Sequence, residues 1–270
     1  MTEYEGEKGR KGEGAKGRRG EGRMEALRIC VVVPTYNNQK TIANVLNDIL
    51  QFSTSIIVVN DGSTDHTGEI LAGYNGCIEV VSYMPNRGKG YALKTGFDRA
   101  EALGYKNVIT IDSDGQHIAS EIRFFVDFAE KYPEALLLGQ RTSEGEMPAK
   151  NNFANKFSNF WFTVHTANRL NDTQNGFRLY PLSAMKGLRP LTTRYEAELE
   201  LLVRSAWKGI RIIPVPTRVY YPPEGERVTH FRPGKDFFRI SVLNTFLTLL
   251  AIVYGYPSLF FYRLFNKREK

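Results

Sequence analysis

The feature that most constrains this chain begins at Arg28: a short apolar run, a polar turn and a stretch with helical spacing, repeated down to Asp112. Ile29-Cys-Val-Val-Val33 is apolar at every position and stops at Pro34, as expected of a strand covered on both faces. In the segment that follows, Ile42, Val45, Leu46, Ile49 and Leu50 fall at helical spacing and share one face. Ser55-Ile-Ile-Val-Val59, Ile78 to Ser82 and Asn107-Val-Ile-Thr-Ile-Asp112 read as three further strands. Asn60-Asp-Gly-Ser-Thr-Asp65 supplies a turn and a helix N-cap, and a helix runs from the loop at Asn86 to Gly90 as far as about Leu103. Strand, helix, strand at this spacing predicts a Rossmann-like α/β fold: a mostly parallel sheet with helices on both faces.

In such sheets ligands bind beyond the carboxyl ends of the strands. Pro34 to Asn37, Asp61, Asn86 to Lys89 and Asp112 to Gln116 all fall there. The second half is less regular. It offers a helix from Ser120, a strand at Ala135 to Leu138, a helix around Phe153 to Ala167 and a loop Asp172-Thr-Gln-Asn-Gly-Phe-Arg178. A helix over Tyr195 to Trp207 and a late strand at Ile210 to Val215 complete it, with no internal repeat.

With 270 residues, 42% of them hydrophobic, the chain can bury one large core, and residues 24–232 are assigned to it. Residues 1–23 are rich in Gly, Lys, Arg and Glu with almost nothing apolar, which predicts a disordered leader, and Met24 is a candidate start. The net charge of +7 admits nucleic acid, a membrane surface or a phosphorylated substrate. Position argues against nucleic acid, because the excess lies in the leader, one loop and the carboxyl terminus rather than in one aromatic-studded stripe. The two cysteines, Cys30 in a strand and Cys77 at a loop edge, suggest no disulfide framework and fit a reducing compartment.

Two carboxylates at i and i+2 in Asp112-Ser-Asp-Gly-Gln116, after a buried strand, make an oxygen-rich site suited to Mg²⁺ or Mn²⁺ or, equally on spacing alone, an ordinary acidic turn. Pro34-Thr-Tyr-Asn-Asn38, Val59-Asn-Asp-Gly-Ser-Thr64, Asn86-Arg-Gly-Lys-Gly90 and Asp112-Ser-Asp114 occur in the order typical of family 2 glycosyltransferases with the GT-A nucleotide-diphospho-sugar transferase fold, and the resemblance runs over nearly all of Arg28 to Pro222. Asp112-Ser-Asp-Gly-Gln-His117 and the Asp172 to Arg178 run further resemble the branch that glycosylates polyprenyl phosphates, the dolichyl-phosphate mannose and glucose synthases.

That resemblance implies an inverting hexosyltransferase using a UDP- or GDP-sugar. Asp61 would contact the nucleoside, with the turn Pro34, Tyr36 and Asn37 packing against base or ribose. Arg87 and Lys89 would meet the donor phosphates, and Asp112, Asp114 and Gln116 would hold the cation. Arg141 resembles the arginine that receives an acceptor phosphate, with Arg178 a second candidate. Relatives carry extra arginines on the acceptor helix, where this chain has Lys150-Asn-Asn-Phe-Ala-Asn-Lys156. Glu198 aligns with an acidic residue that serves as base when the acceptor is a carbohydrate hydroxyl in glycan assembly, and His230 resembles a motif of the branch, either on a loop that closes over the diphosphate or as a surface histidine beside a membrane. A non-catalytic sugar-nucleotide-binding protein is a remoter reading, against which Asp61, Asp112 and Asp114 argue.

Residues 233–270 carry an uncharged run from Ile240 to Tyr262, with Gly255-Tyr-Pro257 expected to break it into two hydrophobic helices. Phe260, Phe261 and Tyr262, then Arg263, Lys267, Arg268 and Lys270, suggest an anchor at the cytoplasmic face of a membrane, either spanning or lying on it. A buried helix pair or a dimer face is the alternative.

Overall fold

The computed structural model describes residues 21–142, 149–221 and 233–266. The four apolar runs become β1 (Ile29–Thr35), β2 (Ile56–Asp61), β3 (Glu79–Tyr83) and β4 (Asn107–Thr110). Val31 of β1 stands opposite Ile56 on one side and Ile109 on the other, and β3 continues in parallel from β2. β5 (Leu136–Arg141) and β7 (Ile212–Thr217) form a second parallel pair. Between the two groups lies β6 (Arg178–Pro181), antiparallel to both β4 and β5, which gives the order β3-β2-β1-β4-β6-β5-β7.

The central strands β1 and β2 carry unbroken apolar runs because both faces are covered. Cys30 and Val32 of β1 point into one core, and Ile29, Val31 and Val33 into the other. The helices are α1 (residues 21–26), α2 (Ile42–Leu50), α3 (Thr67–Ala72), α4 (Lys89–Ala102), α5 (Ile122–Lys131), α6 (Ala149–Thr166) and α7 (Glu196–Trp207). α2 and α5 cover the Val31 side, and α4, α6 and α7 the Val32 side. Gly96 of α4 sits against Val32, where an added Cβ would come within 2.5 Å of that side chain, so the glycine lets helix and sheet approach.

Three expectations are corrected. β6 falls at the end of a segment expected to be a loop. At four residues, opening on Arg178 and closing on Pro181, it lacks the apolar length that marks β1 and β2. The end of the expected leader is structured: residues 21–23 open α1, and Arg23 pairs with Asp127 at 2.8 Å and Glu130 at 2.6 Å, while Met24, expected inside the domain, is 3% exposed. The carboxyl-terminal segment does not break at Gly255-Tyr-Pro257. α8 (Pro233–Leu250) runs through a single π turn at Ala251–Gly255 into α9 (Tyr256–Asn266). The wider turn makes room for the Pro257 ring and for a position that cannot donate to the preceding turn.

Candidate active site

The loops after β1, β2 and β4 are tied together by side-chain to backbone bonds. Asn37 takes φ 51°, a left-handed conformation that Asn tolerates. Its N–H donates to Ser63 Oγ at 3.0 Å, and its Oδ1 accepts the Thr64 N–H at 2.7 Å. Ser113, between the two aspartates, donates to the Pro34 carbonyl at 3.0 Å and accepts Asn38 Nδ2 at 2.6 Å. Pro34 is buried near the end of β1, while Tyr36 just beyond the strand is partly exposed.

Asp61 is 3% exposed, and its carboxylate holds the loop after β3. It accepts the N–H of Arg87 at 2.7 Å, the N–H of Gly88 at 2.8 Å and Asn86 Nδ2 at 2.9 Å. Gly88 has φ 96°, and a Cβ there would lie 2.5 Å from the Thr193 carbonyl, so the loop closes only with glycine. The Arg87 guanidinium stays on the surface, donating to the Tyr91 hydroxyl at 2.7 Å and lying over its ring at 4.7 Å.

The electrostatic centre forms where α4, the β4 turn and α7 meet. Lys89 Nζ lies 2.8 Å from Asp112 Oδ1 and 2.8 Å from Glu198 Oε2. Burial opposes the charge on Lys89, but the two carboxylates more than offset it and raise its pKa above the ordinary lysine range. Burial likewise opposes ionisation of Asp112, and Lys89 together with His117, whose Nε2 stands 3.6 Å from Oδ2, holds it well below the usual carboxylate range. Asp114 moves the other way, raised by burial and then by repulsion from Asp112. Glu198 Oε1 is buried and makes no hydrogen bond. Gly176, across from the cluster, leaves space for Asp112: an added Cβ would sit 2.5 Å from its Oδ2.

The remaining expected site residues divide. Gln116 is partly exposed in the acidic turn, and its N–H donates to Asp114 Oδ1 at 3.0 Å. Arg141 lies at the end of β5, where its Nε and Nη2 donate to Asp172 at 2.7 and 2.6 Å and its Nη1 faces the Tyr221 hydroxyl at 3.3 Å. Arg178 departs from its expectation as a phosphate ligand. It is 0% exposed and donates to the carbonyls of Asn175, Thr173 and Glu198 at 2.7, 2.9 and 2.8 Å, which makes it an internal brace. Lys156 is exposed on α6, the side chain of Lys150 is not among those described, and His230 lies outside the described residues. Ser113, Asp172 and Gly176 stand in the quoted motifs but were given no role of their own, and Tyr221 was not singled out. The signal for Gly176 was a glycine inside a motif already marked by its aspartate and arginine.

The donor chemistry fits a hard cation. Asp112 and Asp114 offer oxygens that repel each other, and Gln116 adds an amide, so a divalent ion would relieve the repulsion that raises Asp114. Among the described residues no group of three or more His, Cys, Asp or Glu is placed to hold a metal ion.

Comparison with known proteins agrees with this architecture. Residues 30–186 match the model of the family described as glycosyl transferase family 2. The chain is 28% identical over 240 residues to the UDP-N-acetylglucosamine–dolichyl-phosphate N-acetylglucosaminyltransferase of Methanococcus voltae, covering 80% of this chain and 96% of that one. It is 25% identical over 251 residues to the dolichyl-phosphate beta-glucosyltransferase of Dictyostelium discoideum, covering 80% and 75%. Among solved structures, glucosyl-3-phosphoglycerate synthase from Mycobacterium tuberculosis, in complex with Mn²⁺, UDP and phosphoglyceric acid, superposes with a TM-score of 0.63 at 21% identity over 87% of this chain and 81% of that one. That likeness establishes the GT-A fold. The chain belongs to glycosyl transferase family 2 and is a glycosyltransferase.

Proposed function

We propose that this enzyme transfers a hexose from a UDP- or GDP-sugar to a polyprenyl phosphate at the cytoplasmic face of a membrane, with inversion at the anomeric carbon. The observation that carries the choice of acceptor is the 2.8 Å pair between Glu198 Oε2 and Lys89. That contact occupies Oε2 of Glu198 with a lysine that also binds Asp112, and a phosphate monoester needs no base because it is already anionic near neutral pH. The names of the Methanococcus and Dictyostelium relatives support the same acceptor.

Asp61 holds the 86–88 loop against the nucleoside diphosphate, with Tyr36 and Asn37 beside base or ribose and Arg87 on the phosphates. Lys89 neutralises the carboxylates and is fixed by Glu198. Asp112, Asp114 and Gln116 hold Mg²⁺ or Mn²⁺, which when bound supplies positive charge for the diphosphate leaving group. Arg141, oriented by Asp172, receives the acceptor phosphate. An oxygen of that phosphate attacks the anomeric carbon, the bond to the diphosphate breaks, and the nucleoside diphosphate departs with the electron pair.

The unpartnered Glu198 Oε1 favours a second reading, in which a carbohydrate hydroxyl is the acceptor and Glu198 its base. Radiolabelled donor sugar separates the two. Label entering the organic phase only when polyprenyl phosphate is added supports the lipid; label passing to a soluble glycan, with none in the organic phase, supports the hydroxyl.

A further inference from the structure

Among the described residues, thirteen of the nineteen large hydrophobic side chains left exposed lie on the continuous α8–α9 helix between Phe238 and Phe265. At 28 residues this stretch is long enough to cross a bilayer, yet its attachment forbids it. The inner stripe Leu243, Leu247, Ala251, Gly255 and Leu259 is buried against the domain. A stripe four residues apart drifts by about 40° per step around a helix of 3.6 residues per turn. The wider π turn at Ala251–Gly255 reverses part of that drift and keeps the stripe facing inward.

The helix is fastened along this side. His165 Nε2 of α6 lies 3.2 Å from the Asn244 carbonyl and 3.1 Å from Thr248 Oγ1. The Trp207 ring of α7 covers Gly255 at 2.5 Å from where a Cβ would stand, the Tyr256 hydroxyl donates to the Val164 carbonyl, and Tyr262 covers Gly209. A spanning helix held in this way would draw α7, with Glu196, Glu198, Glu200 and Arg204, into hydrocarbon.

We infer that α8–α9 lies in the plane of an anionic membrane surface, its outward residues Val242, Phe246, Val253, Phe260 and Leu264 sunk into the boundary between headgroups and acyl chains. Charge selects lipid over a second copy of the chain. From Lys235 to Lys270 the segment carries Lys235, Arg239, Arg263, Lys267, Arg268 and Lys270 against Asp236 and Glu269, six positive charges minus two negative, or +4. Pairing two copies through this face would bring like charges together, whereas anionic headgroups complement them. The surface follows from the fold and does not depend on which acceptor the enzyme uses.

The test uses the full chain with Cys77→Ser, Cys30 being 0% exposed, and single spin labels on Phe246→Cys, Val253→Cys and Phe260→Cys. It is bound to phosphatidylcholine–phosphatidylglycerol vesicles that contain no polyprenyl phosphate, so failure here leaves the proposed transfer reaction untouched. All three labels at one shallow depth are expected. A depth that peaks at Val253 and falls toward both ends would mean a spanning helix, and labels shielded by a second copy without lipid contact would mean a dimer face; either overturns the inference. Independently, Phe246→Ser with Phe260→Ser, both exposed in the protein, is expected to weaken vesicle partitioning about a hundredfold with thermal unfolding unchanged. Unaltered partitioning would also overturn it.

Discussion

The two halves of the sheet are built on different terms. On the β1–β4 side every loop at the site is pinned by a neighbouring side chain: Asp61 holds residues 86–88, Ser113 holds Pro34 and Asn38, and Asn37 holds Ser63 and Thr64. On the β5–β7 side arginines carry the ties: Arg141 pairs with Asp172, Arg218 with Glu121, and Arg178 braces the carbonyls of Thr173 and Asn175. Short side-chain to backbone bonds preorganise the loops on the nucleotide-sugar side, whereas the other side is held by buried or half-buried guanidinium groups.

The sharpest break in that comparison is Asp112→Ala. It is expected to lower kcat about 10³-fold in a steady-state assay of nucleoside diphosphate release, because it removes both a cation ligand and the partner of Lys89. Next comes Gly176→Ala. The new methyl pushes Asp112 out of place, and kcat should fall about 10²-fold while far-UV circular dichroism stays unchanged. An unaffected kcat would show that the fit around Asp112 is loose.

Asp61→Ala strands the N–H groups of Arg87 and Gly88. The donor KM should rise and the Tm should fall by about 5–10 °C in calorimetry. Arg178→Met probes the opposite half: it empties three carbonyl contacts and should lower the Tm by a similar amount, yet leave the donor KM within about twofold, as befits a brace. The smallest effect belongs to Arg141→Lys, which keeps the charge but loses the bidentate geometry and should raise the acceptor KM about fivefold with donor KM unchanged. A loss as large as that of Asp112→Ala would dissolve the distinction between the halves.

The same contrast governed what could be read from the residues. β1 and β2 were legible because stretches covered on both faces are apolar at consecutive positions, and their polar ends then mark the site without any knowledge of side-chain geometry. β6 was hidden because its four residues include the buried Arg178, whose charge suggests a surface loop until the carbonyls of Asn175, Thr173 and Glu198 are seen around it. Glu198 was marked only through its resemblance to a base, and its contact could not be read locally, because α7 is buried nearly all round and this residue meets Lys89 from a distant segment. Continuity through Pro257 depended on a π turn that no local rule anticipates.

The most direct test of the account measures nucleoside diphosphate release by the membrane-reconstituted protein from UDP- and GDP-sugars, with and without divalent cation and with and without polyprenyl phosphate. The account predicts release that requires both, and none after chelation with EDTA. Cation-dependent release indifferent to the lipid would contradict the acceptor and make Glu198 the base of a hydroxyl transfer. Release that persists without cation would contradict the role given to Asp112 and Asp114.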